Sequence, residues 1–419
     1  MTLSCFELGE RMLSLDEALT ALQELAPGSL ESEVIPLSSL LNRVLAEDAI
    51  SPVNVPQNTN AAMDGIALSW PNDTQTRFML QGDVLAGSCF EDPLAPGQAV
   101  TITTGAPLPQ GADTVIMSEQ LLVKEEGASR WVEIEQADRV RQGQNVRRAG
   151  EDIPRGSMAL KAGTRLNPQH LGLLASLGMA KARVVRRPRV AIFSTGDEVT
   201  APGETLPPAG IFDSNRFSLR GLLTRLGCEV VDLGILGDDF AGIRHALDRA
   251  AQTADMVITS GGVSVGQADW TQKALDETGR LGFWRIAIRP GRPLAFGTLG
   301  AREIPFFGLP GNPVAVMVTF LQFVQPLLRT LQGEHQWQPR RLTAIADEPL
   351  KSREGRVDFL RGIYRCDDQG RLHVSMTGRQ GSGILSSMTA ANCLIEIEAP
   401  RAEVAQGETV TLQPFGELT

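Results

Sequence analysis

The sequence has little cysteine and little histidine. Its 419 residues contain five cysteines, which are widely separated, odd in number and without a CxxC pair. This argues against a disulfide framework and against a zinc site, and it fits the reducing cytoplasm. The four histidines all lie outside the glycine-rich motifs considered below. A Ser-His-Asp triad or a histidine-bound metal has no evident position, so we expect carboxylates and basic side chains to carry any catalysis.

An excess of positive charge and long hydrophobic runs are also missing. The 39 lysines and arginines are outnumbered by 49 aspartates and glutamates, which gives a net charge of -10. This argues against a nucleic-acid partner, and any anionic ligand needs a local basic pocket. The most apolar stretch, VAVMVTFLQFV from Val314, is too short to span a bilayer, and no N-terminal basic segment leads into an apolar one. The sequence predicts a cytoplasmic protein with no membrane partner.

Glycine and proline are abundant, with 42 and 25 residues, and the length predicts several domains. Near the N-terminus, Ser14 and Glu17 form a capping-box pattern before an amphipathic helix. Short β-like runs broken by glycine and proline fill residues 53–145 and predict a compact, mostly-β domain. Further short runs from Gln336 onward predict a small all-β domain at the C-terminus.

Between these regions the pattern alternates strands and helices. Strands such as RVAIFST and DMVITS are nearly continuously apolar, which predicts a parallel sheet covered on both faces. The glycine stretches TSGGVSVGQADW (259–270) and GLPGNP each follow a strand, at the edge where open α/β sheets bind ligands. Asn312 can cap, and Pro313 can begin, a long helix that runs to about Leu331.

The first glycine stretch predicts a phosphate site. Glycines let backbone N–H groups approach an anion, and a helix N-terminus adds partial positive charge. The pattern is neither GxGxxG nor a Walker A loop, which argues against dinucleotide binding and ordinary NTPase chemistry. A tight strand-to-helix turn would use the same glycines, and it stays open as an alternative.

Acidic side chains gather near the same edge. FSTGDEV supplies Ser194, Thr195 and Glu198 after another strand, and IFDSNR supplies Asp213. Because acids repel a bound phosphate unless a hard cation bridges them, we predict Mg²⁺ held by Glu198 and Asp269. Simple capping of a turn or helix is the alternative for any one of these acids.

Positive charge appears in WRIAIRPGRPLAFG. Arg285, Arg289 and Arg292 flank a Pro-Gly turn between two strands, and alternation would place Arg285 and Arg289 on one face. Guanidinium forks suit tetrahedral oxyanions such as phosphate or molybdate. A solvated strand face is the alternative.

Three further motifs occur in the N-terminal half. NAAMDGIAL, TTGAPLPQGADTV and RRAGEDI carry Asp64, Thr104 and Asp152, and each alone is explained by turn chemistry. Followed in order by FSTGDEV, DSNR, SGGVSVGQADW, RPGRPLAFG and GLPGNP, the whole set resembles the molybdopterin molybdenumtransferase family, called MoeA, across essentially the full chain.

The resemblance implies an elongated chain of the α/β plus β class with four parts. These are a segmented linker domain (1–52 and 146–186), a mostly-β inserted domain (53–145), a three-layer α/β molybdopterin-binding domain (187–333) and a C-terminal β-barrel domain (334–419). It also implies a homodimer with the active-site cleft between subunits.

The resemblance further implies that molybdate is inserted into adenylylated molybdopterin with Mg²⁺-dependent release of AMP. Transient contacts with a molybdopterin adenylyltransferase and with acceptor molybdoenzymes follow from that role. Two other functions stay open: molybdopterin adenylylation, which the α/β domain alone resembles, and a non-catalytic pterin-binding scaffold. The extra domains favour metal insertion, and acids beside a phosphate argue against a pure scaffold.

The same resemblance assigns residues to roles. The implied catalytic residues are Asp64, Thr104, Glu198, Asp269, Arg285 and Arg289, with Asp152 as a further functional position. The implied metal ligands are Glu198, Asp269 and Asp238 or Asp239. The implied pterin-binding residues are Ser194, Thr195, Gly196, Ser260, Gly261, Gly262, Ser264, Gly266, Pro310, Gly311, Asn312, Pro313, Arg361 and Ser382.

The sequence departs from the family pattern at two places. The pattern carries lysines in FWKLAIKPGKP, whereas this chain has Arg285, Arg289 and Arg292, so a planar fork replaces each point charge. Ile66 stands beside Asp64 where the pattern has tyrosine.

Overall fold

The structure, a computed structural model, describes residues 12–24, 28–71, 75–126, 129–237, 239–261, 270–334 and 337–416. Five predicted site residues lie outside the described residues: Asp238, Gly262, Ser264, Gly266 and Asp269. The chain forms two compact units. The first takes its described residues from 1–33, 42–44 and 185–419, and the second consists of 34–41 and 45–184. The four domain boundaries given above stay a prediction.

The second unit is built on a six-stranded sheet. In spatial order its strands are Thr114–Met117, Gly65–Leu68, Gln98–Ile102, Arg77–Val84, Ser129–Ile134 and Leu121–Glu126. Both faces of this sheet are covered by apolar side chains. Successive side chains of a strand point to opposite faces, and Ile66 packs in one buried cluster while Ala67 packs in the other. The unit also contains helix Pro168–Ser176 and the short strand pairs Asn60–Ala61 with Val146–Arg147, Ala49–Ile50 with Met158–Leu160, and Ser32–Pro36 with Lys181–Val185.

The first unit contains a seven-stranded sheet. Its strands are β1 Met12–Leu13, β2 Arg189–Thr195, β3 Glu229–Leu236, β4 Met256–Ser260, β5 Gly279–Ile286, β6 Pro293–Leu299 and β7 Ile304–Leu309, in the spatial order β1-β5-β6-β7-β4-β2-β3. Neighbours are parallel except β6, which is antiparallel to β5 and β7. The strands from which a parallel sheet was predicted, such as β2 and β4, are parallel, and β6 is an antiparallel strand added between β5 and β7. The link between β5 and β6 is closed by a hydrogen bond from Ile286 N–H to the Arg292 carbonyl oxygen (2.9 Å) and is too short for a crossover.

Helices cover both faces of this sheet, as predicted. They are Leu15–Glu24, Asn215–Arg225, Phe240–Thr253, Trp270–Thr278, Pro313–Thr319 and Gln325–Leu331. Ile192 of β2 packs in one core cluster with Leu219, and the next residue, Phe193, packs in the other with Ile243. The predicted three-layer α/β domain is thus confirmed.

Two predictions about the helices can be checked directly. Glu17 N–H donates to Ser14 Oγ (3.2 Å) and Ser14 N–H to Glu17 Oε2 (2.8 Å), which confirms the capping box. The two last helices join through a π-helical segment, Phe320–Val324, into one helix of 19 residues with a mean hydropathy of 1.5. Among the described residues it alone is long and apolar enough to cross a membrane, so the argument that it is too short is wrong. It is a core helix, because 72% of its most apolar stretch is buried inside the protein.

The C-terminal strands close into a five-stranded barrel, as predicted. In ring order they are Val357–Cys366, Leu372–Met376, Leu342–Ala346, Thr409–Pro414 and Cys393–Ile397, and the last pairs back with the first. The short strand Ile288–Arg289 adds to Val357–Cys366 in parallel. The remaining elements of the unit are helix Leu385–Ala390 and the strand pairs Leu350–Lys351 with Glu403–Val404 and Val199–Thr200 with Ile211–Phe212.

Candidate active site

The ends of three neighbouring strands bring the predicted loops to one edge of the sheet. Ser194 of β2 pairs in register with Ser260 of β4, which pairs with Leu309 of β7. The hydroxyl oxygens of Ser194 and Ser260 are 3.5 Å apart, and Gly261 N–H donates to the Leu309 carbonyl oxygen (3.2 Å). Because β2, β4 and β7 run in the same direction, the segments that follow them leave the sheet side by side.

Two glycines at this edge are required by the backbone. The φ angles of Gly196 (132°) and Gly261 (84°) are strained for any residue with a side chain. A Cβ on Gly261 would lie 3.1 Å from the Thr195 carbonyl oxygen, and one on Gly196 would lie 2.7 Å from the Glu198 carboxylate. The exposed carboxylate of Glu198 therefore lies over the turn that follows β2.

The segment after β7 is held from two sides. Asn215 Nδ2 donates to the Gly311 carbonyl oxygen (2.7 Å). Asn312 is the N-cap residue of the helix that begins at Pro313, but its side chain makes no capping hydrogen bond. Instead, the backbone N–H of Val314 donates to the Ser382 carbonyl oxygen (3.0 Å). Ser382, predicted from the barrel region, thus meets the predicted Pro-Gly turn.

Asp213 is a structural acid. Its carboxylate accepts hydrogen bonds from the backbone N–H (3.1 Å) and Nε (2.8 Å) of Arg216. The Nη1 of Arg216 donates in turn to Asp232 (2.7 Å). Burial would lower the pKa of Arg216, but the hydrogen bonds to Asp232 and Asp213 outweigh it and raise that pKa. The capping alternative therefore applies to Asp213.

Asp239 also acts as a cap. Its carboxylate accepts from the backbone N–H groups of Ala241 (3.3 Å) and Gly242 (2.8 Å) at the start of helix Phe240–Thr253. In the part of the chain that the structure describes, no three His, Cys, Asp or Glu side chains are grouped as a metal site. Asp238 and Asp269 lie outside that part, so a metal bound with Glu198 stays a prediction.

A basic cavity of about 490 Å³ lies beside the turn between β5 and β6. Its charged lining residues are Arg289, Arg292, Arg353, Arg356 and Glu354. Four guanidiniums against one carboxylate make a positive pocket in an acidic protein, as an anionic ligand requires.

Arg285 is not among the residues that line this cavity. It is exposed on β5, where its register partner is Met12 of β1. The predicted alternation is interrupted at Ala287, because β5 ends at Ile286 and the next short strand belongs to the barrel sheet. The structure thus brings Arg289 and Arg292 to the cavity without Arg285.

Arg361 lies in the barrel strand Val357–Cys366 and is 1% exposed. Its Nε donates to Ser387 Oγ (3.1 Å) and its Nη2 to the Gly381 carbonyl oxygen (3.2 Å). Burial, together with the nearby positive charge of Arg289, lowers the pKa of Arg361 to about 10. Arg361 is therefore electrostatically coupled to the basic cavity.

In the second unit, Asp64 and Thr104 are in direct contact. Asp64 Oδ1 accepts hydrogen bonds from the backbone N–H (2.6 Å) and the hydroxyl (2.7 Å) of Thr104. These two bonds, the backbone one first, lower the pKa of Asp64. Gly65 is required here because a Cβ would lie 1.8 Å from the Ile116 carbonyl oxygen. The pair is exposed on the surface of its unit, where it can reach a ligand.

Asp152 also lies in the second unit, and its side chain is exposed. Its backbone N–H donates to the Val55 carbonyl oxygen (3.1 Å).

Sequence reasoning missed Arg353 and Arg356, which line the cavity, and Asp358, which pairs with Arg356 and Arg289. They belong to the segment REGRVDF, of which the sequence predicted only that it lies in the C-terminal all-β domain. Two arginines around a glycine and a carboxylate in an apolar strand are a local signal for buried ion pairing.

The comparisons with known proteins cover nearly all of the chain. Residues 13–178 match the family description "MoeA N-terminal region (domain I and II)", residues 191–330 "Probable molybdopterin binding domain" and residues 343–415 "MoeA C-terminal region (domain IV)". A Haemophilus influenzae protein named molybdopterin molybdenumtransferase is 45% identical over 410 residues, which is 97% of this chain and 100% of that protein. A Bacillus subtilis protein of the same name is 31% identical, over 91% of this chain and 89% of that protein.

The fold is also found in a solved structure. The crystal structure titled molybdopterin biosynthesis moeA protein from Pyrococcus horikoshii OT3 has a TM-score of 0.81 and 30% identity, and the match covers 97% of this chain and 100% of that one. With three family regions in order and relatives of matching length, the chain belongs to the molybdopterin molybdenumtransferase (MoeA) family.

Proposed function

We propose that this protein acts in molybdenum cofactor biosynthesis by inserting molybdate into the dithiolene of adenylylated molybdopterin, with Mg²⁺-dependent release of AMP. The observation that supports this most directly is the single sheet edge at which β2, β4 and β7 end. This edge offers two adjacent serine hydroxyls, glycine turns and the Pro310–Asn312 turn to a phosphate-bearing ligand.

The pterin phosphate would lie against backbone amides of the turns that follow Thr195 and Ser260. Glycine leaves these amides open to close approach, and buried hydroxyls at Ser194 and Ser260 supply further donors. The rest of the glycine loop, with Gly262, Ser264, Gly266 and Asp269, lies outside the described residues and is assigned to the same site by sequence alone.

The residues present at this edge fit a hard divalent cation. The Glu198 carboxylate is exposed over Gly196, and carboxylate and phosphate oxygens are the ligands that Mg²⁺ prefers. When bound, Mg²⁺ neutralises the negative charge of phosphate oxygens. The chain's own part is to hold the phosphate and to present Glu198 beside it.

Molybdate would be held by the basic cavity. Arg289, Arg292, Arg353 and Arg356 all line it, so an oxyanion in the cavity can meet several guanidinium forks. Forks that are preorganised for a tetrahedral oxyanion would place it for reaction with the dithiolene, and no protein nucleophile is required.

We also propose a cytoplasmic homodimer that contacts an adenylyltransferase and acceptor molybdoenzymes transiently. The scarcity of cysteine and the absence of a CxxC pair support the reducing compartment. Sedimentation analysis of the purified chain tests the dimer: a monomer at micromolar concentration would contradict it.

The deciding experiment mixes purified protein with adenylylated molybdopterin, molybdate and Mg²⁺. AMP release is measured together with the activation of a cofactor-free molybdoenzyme. Release that requires both molybdate and Mg²⁺, with an active acceptor, supports the transferase. Tight pterin binding with neither product would contradict it and favour a scaffold, and formation of adenylylated pterin from ATP would favour the adenylyltransferase.

Asn215→Ala is expected to raise the KM for adenylylated molybdopterin about fivefold, since one hydrogen bond that holds the turn after β7 is lost. The measurement is initial-rate kinetics with varied pterin at saturating molybdate. Gln369→Ala, at an exposed barrel turn, is the matched control and should leave this KM unchanged. An unchanged KM in Asn215→Ala would show that the Gly311 contact does not shape the pterin site.

A further inference from the structure

Asp358 carries a buried charge and has no role in the reaction proposed above. It lies in the barrel strand Val357–Cys366, and its side chain is fully buried. Its register partner is Arg289 of the short strand Ile288–Arg289. A carboxylate removed from water is costly unless it is paired, so its partners explain why it is there.

The partners of Asp358 are two arginines of the basic cavity. Arg356 Nε lies 2.8 Å from Oδ1, an ion-pair contact without hydrogen-bond geometry, and Arg356 Nη2 donates to Oδ2 (3.4 Å). Arg289 Nη1 lies 3.7 Å from Oδ2. One buried carboxylate is therefore shared by two guanidiniums that line the cavity.

The group as a whole keeps an excess of positive charge. Arg289 and Arg356 share the single negative charge of Asp358, and Arg361 is close enough for the charge of Arg289 to lower its pKa. Asp358 thus cannot serve to neutralise the cavity. What it can do is restrict where the half-exposed side chain of Arg289 points.

We infer that Asp358 is a positioning residue, which fixes the guanidinium of Arg289 at the cavity wall so that an oxyanion meets a preformed fork. This inference rests on the proposed function only in taking molybdate as the oxyanion. Arg356, another residue that lines the cavity, is held by the same carboxylate.

Two physical effects of removing the Asp358 charge have opposite signs, which makes the inference testable. By Coulomb attraction alone, Asp358→Asn makes the cavity more positive and should tighten molybdate binding. If Asp358 instead positions Arg289, the freed side chain must be ordered again on binding, and the affinity falls about tenfold.

The experiment is calorimetric titration of the purified full-length protein with molybdate, without pterin. Asp358→Asn is expected to raise the molybdate Kd about tenfold. In steady-state kinetics it should raise the KM for molybdate, while kcat and the KM for the pterin stay within about twofold, because what is lost is the anchoring of Arg289 and Arg356 at the cavity. A Kd equal to or below that of the wild type would overturn the inference.

Asp347→Asn is the matched control. Asp347 also lies in the barrel and pairs with an arginine, Arg365, at 3.0 Å, but it does not line the cavity. Its substitution should leave the molybdate Kd unchanged; an equal loss there would mean that general damage to the barrel explains the effect.

Two further variants keep the inference testable. Asp358→Asn added to Arg289→Gln should cause little further loss if Asp358 acts through Arg289, and additive losses would contradict this. If Asp358→Asn does not fold, Asp358→Glu keeps the charge and moves the anchor by one methylene, so the Kd should rise severalfold; an unchanged Kd would overturn the inference. Failure of the proposed function is distinguishable, since the wild type itself would then release no AMP.

Discussion

Replacing Asp64, a catalytic residue by the family resemblance, with asparagine is expected to lower kcat for AMP release by about a hundredfold or more, the scale measured when one group that contacts a transition state is removed. The amide has the same shape, and Thr104 can still donate to its oxygen, so the variant removes the charge and little else. Because the Thr104 bonds hold the pKa of Asp64 below its ordinary value of 3.8, the wild-type carboxylate is ionised throughout the neutral range. The measurement is single-turnover AMP release.

Asp83→Asn is the control for that substitution. It removes an exposed carboxylate in the same unit. The Asp83 Oδ1 atom lies as far as 4.0 Å from Nη1 of its partner Arg130, so the pair is weak. Activity should be unchanged. Thr104→Val should lie between the wild type and Asp64→Asn, since it keeps the charge and the backbone bond but loses the hydroxyl bond. An Asp64→Asn rate within threefold of the wild type, with unchanged melting, would remove Asp64 from the catalytic set.

The parts of the fold that were predicted correctly depend on local patterns. The Ser14–Glu17 capping box, the apolar strands β2 and β4 and the start of the helix at Pro313 are encoded within a few residues each. The sheet edge also follows from local information, because consecutive parallel strands must place their carboxyl ends together. This is why Ser194 and Ser260 could be assigned to one site before their 3.5 Å contact was known.

Strand direction and contacts between residues far apart in the chain are not encoded in such local patterns. The nearly continuous burial of β6 is the same in either direction, so only the short link to β5 makes it antiparallel. The cavity is also lined by Arg353 and Arg356, which are far along the chain from Arg289, and no local pattern specifies that these residues meet. Asp239 was a candidate metal ligand because of its residue type. In the structure its carboxylate accepts a hydrogen bond from the Gly242 amide at the start of a helix.

Asp255 anchors the amino end of β4, at the sheet edge opposite the candidate site. Its side chain is 4% exposed and accepts a bidentate pair of hydrogen bonds from Arg186, at 2.7 Å each, and one from Arg189 N–H at 2.8 Å. Burial would raise the pKa of Asp255, but the bonds from Arg186 and Arg189 outweigh it and lower that pKa below 3.8. The folded protein therefore favours the charged form.

Asp255→Asn is expected to reduce the free energy of unfolding at pH 7 by about 3 kcal/mol, because Arg186 is left partly buried without its main counter-charge. Since the folded pKa is depressed, the contribution of Asp255 is fully present above its unfolded value and is lost as the pH falls through the folded one. The difference between wild type and variant should therefore shrink below about pH 4. Urea unfolding at pH 7 and at acid pH measures both effects. The control is Asp248→Asn, which removes the carboxylate of an exposed ion pair with Arg244. A loss below about 1 kcal/mol at pH 7, the range of surface pairs, would show that this ion pair is not needed to hold the sheet edge.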